Sequence, residues 1–179
     1  MKKSSERRTA MRRTIFAMIL AASLPAASVA QEAPLSDVSV GGFIDALIPK
    51  PQMTLRGGLN TRGVSATPKI DIAAEFEYDS AVLSEEARGL LANLALAIQS
   101  EDLAGYHFWL RGHTDSVGTE EYNEGLSLAR AESVREFLVQ EYRISANRLV
   151  TRGYGESRLL YEDLPEDARN RRVEIMTLQ

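Results

Sequence analysis

No cysteine occurs among the 179 residues, which excludes disulfides, thiolate metal sites, a thiol nucleophile and a cysteine-linked lipid anchor. Histidine is almost as scarce, with only His107 and His113. The His-x-Asp pair of His113 and Asp115 finds no third ligand at a suitable spacing, so neither a metal nor any other cofactor is expected. No apolar run approaches the roughly 20 residues that a membrane-spanning helix needs. What remains is 44% hydrophobic and 26% charged, a composition of the soluble globular class, and the chain is long enough to bury a core without staples.

The first thirty residues stand apart. Lys2, Lys3, Arg7, Arg8, Arg12 and Arg13 precede the apolar run Ile15 to Leu20, and Pro25 and small residues follow, ending Ser28-Val29-Ala30. That order predicts a secretory signal peptide over residues 1–30, cleaved before Gln31. Residues 31–179 then hold 15 Lys and Arg against 24 Asp and Glu, a net charge of −9. Such a chain repels polyanions at long range and has no cluster of basic residues interleaved with aromatics. Nucleic acid is therefore excluded as an expected partner, and an anionic lipid surface is disfavoured for the same reason.

Residues 31–69 hold five glycines and four prolines and no long periodic segment, which predicts a linker or loosely attached extension. The apolar stretch Phe43 to Ile48 is the exception; it either packs on its own domain as a short strand or helical turn, or docks a partner. From Ile70 the texture changes. Ile70, Ile72, Ala74 and Phe76 alternate with polar residues as in a strand with one buried face. Ser84 followed by Glu85 and Glu86 makes a helix start, with acids where the helix dipole favours them, and apolar spacing carries the helix over 85–99.

A second strand is predicted from Tyr106 to Arg111, with Phe108 and Leu110 on one face. The segment 112–118 is a turn. Tyr122, Leu126, Ala129, Ser133, Phe137 and Leu138 then repeat with a period fitting a helix over 120–142. Strands follow at 148–152 and 172–178. The order strand, helix, strand, helix, strand, loop, strand predicts an α/β two-layer sandwich, a mixed four-stranded sheet with two main helices on one face.

The segment 113–130 is where chemistry concentrates. Asp115 lies in the loop before the second helix, and Asn123 and Arg130 lie on that helix seven residues apart, which brings them to nearly the same angular position two turns apart. An arginine can grip a carboxylate through two parallel hydrogen bonds while an aspartate accepts from an ammonium, so Asp115 and Arg130 together suit a zwitterion such as an amino-acid head group. Spacing alone leaves a second reading open, in which Asp115 caps a turn and Arg130 pairs with a surface carboxylate.

Five ordered segments add weight to the first reading. They are Phe76 to Leu83, Leu110-Arg111-Gly112-His113-Thr114-Asp115, Tyr122 to Val134, Gly153-Tyr154-Gly155-Glu156, and Asn170-Arg171-Arg172-Val173-Glu174-Ile175. Together they resemble the OmpA-like peptidoglycan-binding domain family over residues 70–179. The resemblance implies a periplasmic module that holds the diaminopimelate residue of the wall's stem peptide without cutting it. It implies Asp115 for the ammonium side of the ligand and Arg130 for a carboxylate. It further implies Asn123 and Leu126 along the same groove, Asp79 for a polar contact and Arg171 as a further contact. Alternation sends Arg171 and Arg172 to opposite faces.

Two rivals follow from other features. A cell-wall hydrolase would use Ser116 or Ser127 as nucleophile with His113 as base, but no Gly-x-Ser-x-Gly elbow occurs. An envelope adaptor would dock an outer-membrane or envelope protein through residues 31–69 while the domain holds the wall.

Overall fold

The computed structural model describes residues 34–35, 38–50, 67–73, 76 and 80–178. The signal peptide expected at 1–30 and the candidate contact Asp79 lie outside the described residues. Four strands form one sheet: β1 (Lys69–Ile72), β2 (His107–His113), β3 (Leu149–Gly153) and β4 (Arg172–Leu178). Their spatial order is β1-β4-β2-β3. β4 runs antiparallel to both β1 and β2, whereas β2 and β3 are parallel, as the helical crossover between them requires. The mixed four-stranded sheet of the expected α/β fold is therefore present.

Caps set the helix starts. α2 (Glu85–Gln99) begins after Ser84, whose hydroxyl accepts from the Ala87 backbone N–H at 3.1 Å. α3 (Glu120–Tyr142) begins after Thr119, which accepts from Tyr122, and it ends on Arg143 in the left-handed conformation at φ 57°. Both helices occupy the predicted ranges.

Three features depart from the sequence reading. First, a third helix, α1 (Val40–Leu47), lies within the segment read as an extension. Its Phe43 and Leu47 are fully buried in the core with Leu91, Leu94, Ile98, Phe108, Leu110 and Ile175. The hydroxyl of Thr177 donates to the Leu47 carbonyl at 2.6 Å, and the Asn93 amide donates to the Val38 carbonyl at 3.0 Å. Of the two readings for the apolar stretch, the structure takes the packed one.

Second, β1 stops at Ile72, because its pairing with Val173 lies one residue from the start of β4; Phe76 instead forms an isolated bridge with Leu83. Third, the buried face of α3 is turned by about one residue from the predicted one. Asn123, Ser127, Arg130, Ala131, Val134 and Leu138 are buried, while Tyr122 is exposed. The reason lies in the sheet beneath. A Cβ on Gly112 would stand 1.9 Å from the Ser127 carbonyl oxygen, and one on Gly153 would stand 2.6 Å from the Ser127 hydroxyl and 2.7 Å from the Glu124 carbonyl oxygen. Helix backbone and strand backbone touch there, so the helix presents a serine rather than a large apolar residue.

Candidate functional site

The loop between β2 and α3 is braced by its own polar groups. Asp115 is buried, and its Oδ1 accepts from the Val117 backbone N–H at 3.2 Å, closing a side-chain turn. From the first turns of α3, the Asn123 amide reaches the carbonyls of Asp115 at 3.3 Å and Val117 at 3.2 Å, and Glu156 Oε2 at 2.6 Å. Gly155, at φ +49°, brings the following loop against Asn123 and Glu124, and its carbonyl accepts from the Thr114 N–H at 2.9 Å. The motif glycines and polar residues thereby fix two loops around one helix end.

Charge is arranged on this frame. Arg171 enters from the segment before β4, and its Nη1 donates to Asp115 Oδ2 at 2.6 Å; the Asp115 side chain is 10% exposed and that of Arg171 47%. Arg172 turns the other way and bonds Asp71 at 2.8 Å, as strand alternation requires. Two turns along α3 from Asn123, Arg130 is buried, with Nε donating to the Ser80 carbonyl at 3.1 Å and the guanidinium 5.0 Å from the Phe76 ring centroid. Arg130 and Arg171 line one cleft of about 380 Å³, together with Phe76, Ala73, Pro34, Ala168 and Arg169. Arg169 is held by both oxygens of Asp167, at 2.9 Å and 2.8 Å.

The arrangement offers two guanidinium groups for carboxylates, a carboxylate behind one of them, and apolar wall from Phe76, Ala73 and Pro34 for a hydrocarbon chain. Asp115 is bonded to Arg171, which shares the cleft with Arg130, so the acid and Arg130 are not a bare facing pair. Asn123 braces the loop, and Leu126 is half-buried outside the described lining of the cleft. Phe76 and Pro34 were missed as lining residues. Phe76 carried a signal, an aromatic at the end of an alternating run, but its partnership with Arg130 depends on the chain folding back between them. Pro34 carried none.

His113 lies on the open face of the sheet, stacked on Tyr154 at 5.5 Å between ring centroids. Its ring nitrogens are buried without a hydrogen-bond partner among the described residues. Burial, reinforced by the Arg172 charge, lowers its pKa to about 3, so the imidazole is neutral at pH 7. The Ser127 hydroxyl donates to the Glu124 carbonyl and accepts from the Gly155 N–H, each at 2.8 Å. No serine–histidine pair is assembled among the described residues, nor any group of three or more His, Asp or Glu able to hold a metal ion. No described helix is long and apolar enough to cross a membrane.

Comparison with known proteins agrees with the fold. Residues 75–172 match the OmpA family. The chain is 35% identical to outer membrane porin F of Pseudomonas aeruginosa over 113 residues, which are 62% of this chain and 32% of that protein. It is 39% identical to the peptidoglycan-associated lipoprotein of the same organism over 104 residues, 56% of this chain and 58% of that one. The crystal structure of the peptidoglycan-associated lipoprotein from Burkholderia pseudomallei is similar at a TM-score of 0.51 and 28% identity, covering 59% of this chain and 88% of that one. The chain spans about a third of the length of the porin F relatives.

Proposed function

This chain belongs to the OmpA family, and from that membership we propose that it binds cell-wall peptidoglycan non-covalently, by taking the diaminopimelate residue of a stem peptide into the cleft of Arg130 and Arg171. The observation that carries the reading is the convergence of two arginines, distant in sequence, on one cleft with Asp115 bonded to one of them. Diaminopimelate ends in an ammonium and a carboxylate on one carbon. Arg130 grips that carboxylate, and Asp115, with lone pairs beyond those used by Val117 and Arg171, accepts from the ammonium. Arg171 adds a second cation at the mouth, and Phe76 supports the methylene chain. Asp79 supplies the polar contact that the family resemblance implies.

The role is that of a binder rather than an enzyme. Ser127 serves the packing of α3, and His113 serves the sheet face. We place the protein in the periplasm, attached to the wall and associated with the outer membrane, as the names of its relatives suggest. Within the extension, the described segment 38–50 belongs with the domain in this reading, because its apolar anchors Phe43 and Leu47 are buried in the domain's own core.

Sedimentation with isolated sacculi tests the site. Arg130→Ala is expected to lose a charge-assisted contact of about 2–5 kcal/mol, enough to abolish co-sedimentation at micromolar protein. Titration with a diaminopimelate peptide against its lysine analogue, which lacks one carboxylate, should show preference for the former that Arg130→Ala erases. A folded Asp115→Ala/Arg130→Ala variant that sediments as well as the parent would show that the site is elsewhere.

A further inference from the structure

Gly112 and Gly153 face α3, so strand alternation projects Arg111 and Arg152 from the opposite, open face of the sheet. The parallel register sets Arg111 directly beside Arg152. Like charges in that position repel, and nothing in the packing of the sheet calls for two of them. Glu174 compensates Arg111 at 3.0 Å, but its other oxygen is taken by Lys69 at 2.7 Å. Arg152 and Arg158 have no ion-pair partner among the described residues.

Both instead stand against one ring. Their guanidinium carbons lie 5.0 Å and 4.1 Å from the centroid of Tyr154, and that of Arg111 lies 5.8 Å away. A cation–π contact accounts for one arginine on a tyrosine. It does not account for three converging on the same ring, in a chain whose residues 31–179 carry a net charge of −9. The local field is felt by His113, which stacks on Tyr154: burial and Arg172, with smaller contributions from Lys69 and Arg158, outweigh Glu174 and hold the imidazole neutral.

We propose that Arg152, Arg158 and Tyr154 form a binding site for a phosphoryl group, on the open face of the sheet and separate from the cleft of Arg130. Two guanidinium groups on one ring without ion-pair partners among the described residues match the charge of a phosphomonoester, which approaches −2 at neutral pH, whereas a carboxylate would answer only one of them. Their planar forks suit phosphate oxygens, and Trp109, on the same face beside Arg111, adds flat apolar surface for the group that bears the phosphate. The source is either a soluble phosphate ester or a phospholipid headgroup.

The test follows arginine Nε–Hε signals of the full chain by NMR, with glucose 6-phosphate, glucose and sodium acetate at matched ionic strength. In parallel, the chain is sedimented with phosphatidylcholine vesicles with and without phosphatidic acid. Glucose 6-phosphate should shift the Arg152 and Arg158 signals saturably while glucose does not. R152Q/R158Q should weaken binding by about tenfold or more while leaving sacculus binding intact. Sedimentation that depends on phosphatidic acid assigns a lipid headgroup, and a saturable shift without it assigns a soluble ester. The proposal is overturned if neither probe binds, if acetate reproduces the shift, or if the double variant binds as the parent does.

Discussion

His113 offers a single-residue measurement that involves no ligand. Its folded pKa, about 3, lies below the ordinary 6.5, so on acidification the unfolded chain takes up the proton first. The stability it contributes is complete above about pH 6.5 and is lost progressively as pH falls towards 3. Glu174 also has a lowered pKa, because the bonds from Lys69 and Arg111 outweigh the effect of burial, but its contribution is lost only below its ordinary 4.5. Between pH 7 and pH 5 the histidine therefore dominates this pair. Urea unfolding should show a loss of about 2 kcal/mol over that interval. In His113→Phe, which keeps a ring against Tyr154 and removes both unpaired nitrogens, the loss should disappear. An equal loss in the variant would place the titrating group elsewhere.

The cleft was only partly legible at this scale. Asp115 and Arg130 stand out because an acid before a helix and an arginine two turns beyond Asn123 form a pattern within a short segment. That Arg171, 56 residues after Asp115, pairs with it and shares a cleft with Arg130 is a fact of tertiary structure that spacing does not contain. The same holds for Phe76 beneath Arg130.

Among the elements, α2 and α3 were readable to the residue because caps mark them: Ser84 with two glutamates, and Thr119 with two more. α1 was hidden. It has eight residues, two of them glycines that each cost about 1 kcal/mol of helix propensity, so nothing local outweighs the turn-forming composition around it. Its stability comes from burial, and Phe43→Ala should cost about 3–5 kcal/mol in denaturant unfolding of residues 31–179. A negligible change would mean that α1 does not belong to the cooperative unit.

The rotated face of α3 has its own test. Periodicity follows apolar residues, but this helix seats Ser127 on two glycines and turns Asn123 and Arg130 towards the loops. Gly112→Ala puts a methyl into the Ser127 carbonyl, a backbone atom that cannot step aside as a flexible side chain would. The expected loss is at the upper end of the roughly 1–3 kcal/mol typical of overpacking. Gly125→Ala, where a Cβ meets nothing within 4 Å, should be neutral or slightly stabilising. Thermal unfolding of the two variants separates close packing from a general intolerance of alanine.

For the molecule as a whole, net charge and local charge oppose each other. Residues 31–179 carry −9, and a wall rich in stem-peptide carboxylates repels such a chain at a distance, while the proposed contacts at Arg130 and Arg171 attract within a few ångströms. Salt acts differently on the two. Between 0.01 M and 0.1 M the Debye length falls from about 30 Å to about 10 Å, which removes most of the repulsion between chain and wall but little of a contact in which Arg130 is buried. Sacculus binding should therefore rise with salt over that range and decline only towards 1 M, where a screening length of about 3 Å reaches the contacts themselves. In Arg130→Ala the rise should vanish along with the binding. A monotonic decline from the lowest salt would mean that long-range attraction to some basic surface, rather than the enclosed cleft, holds the protein to the wall.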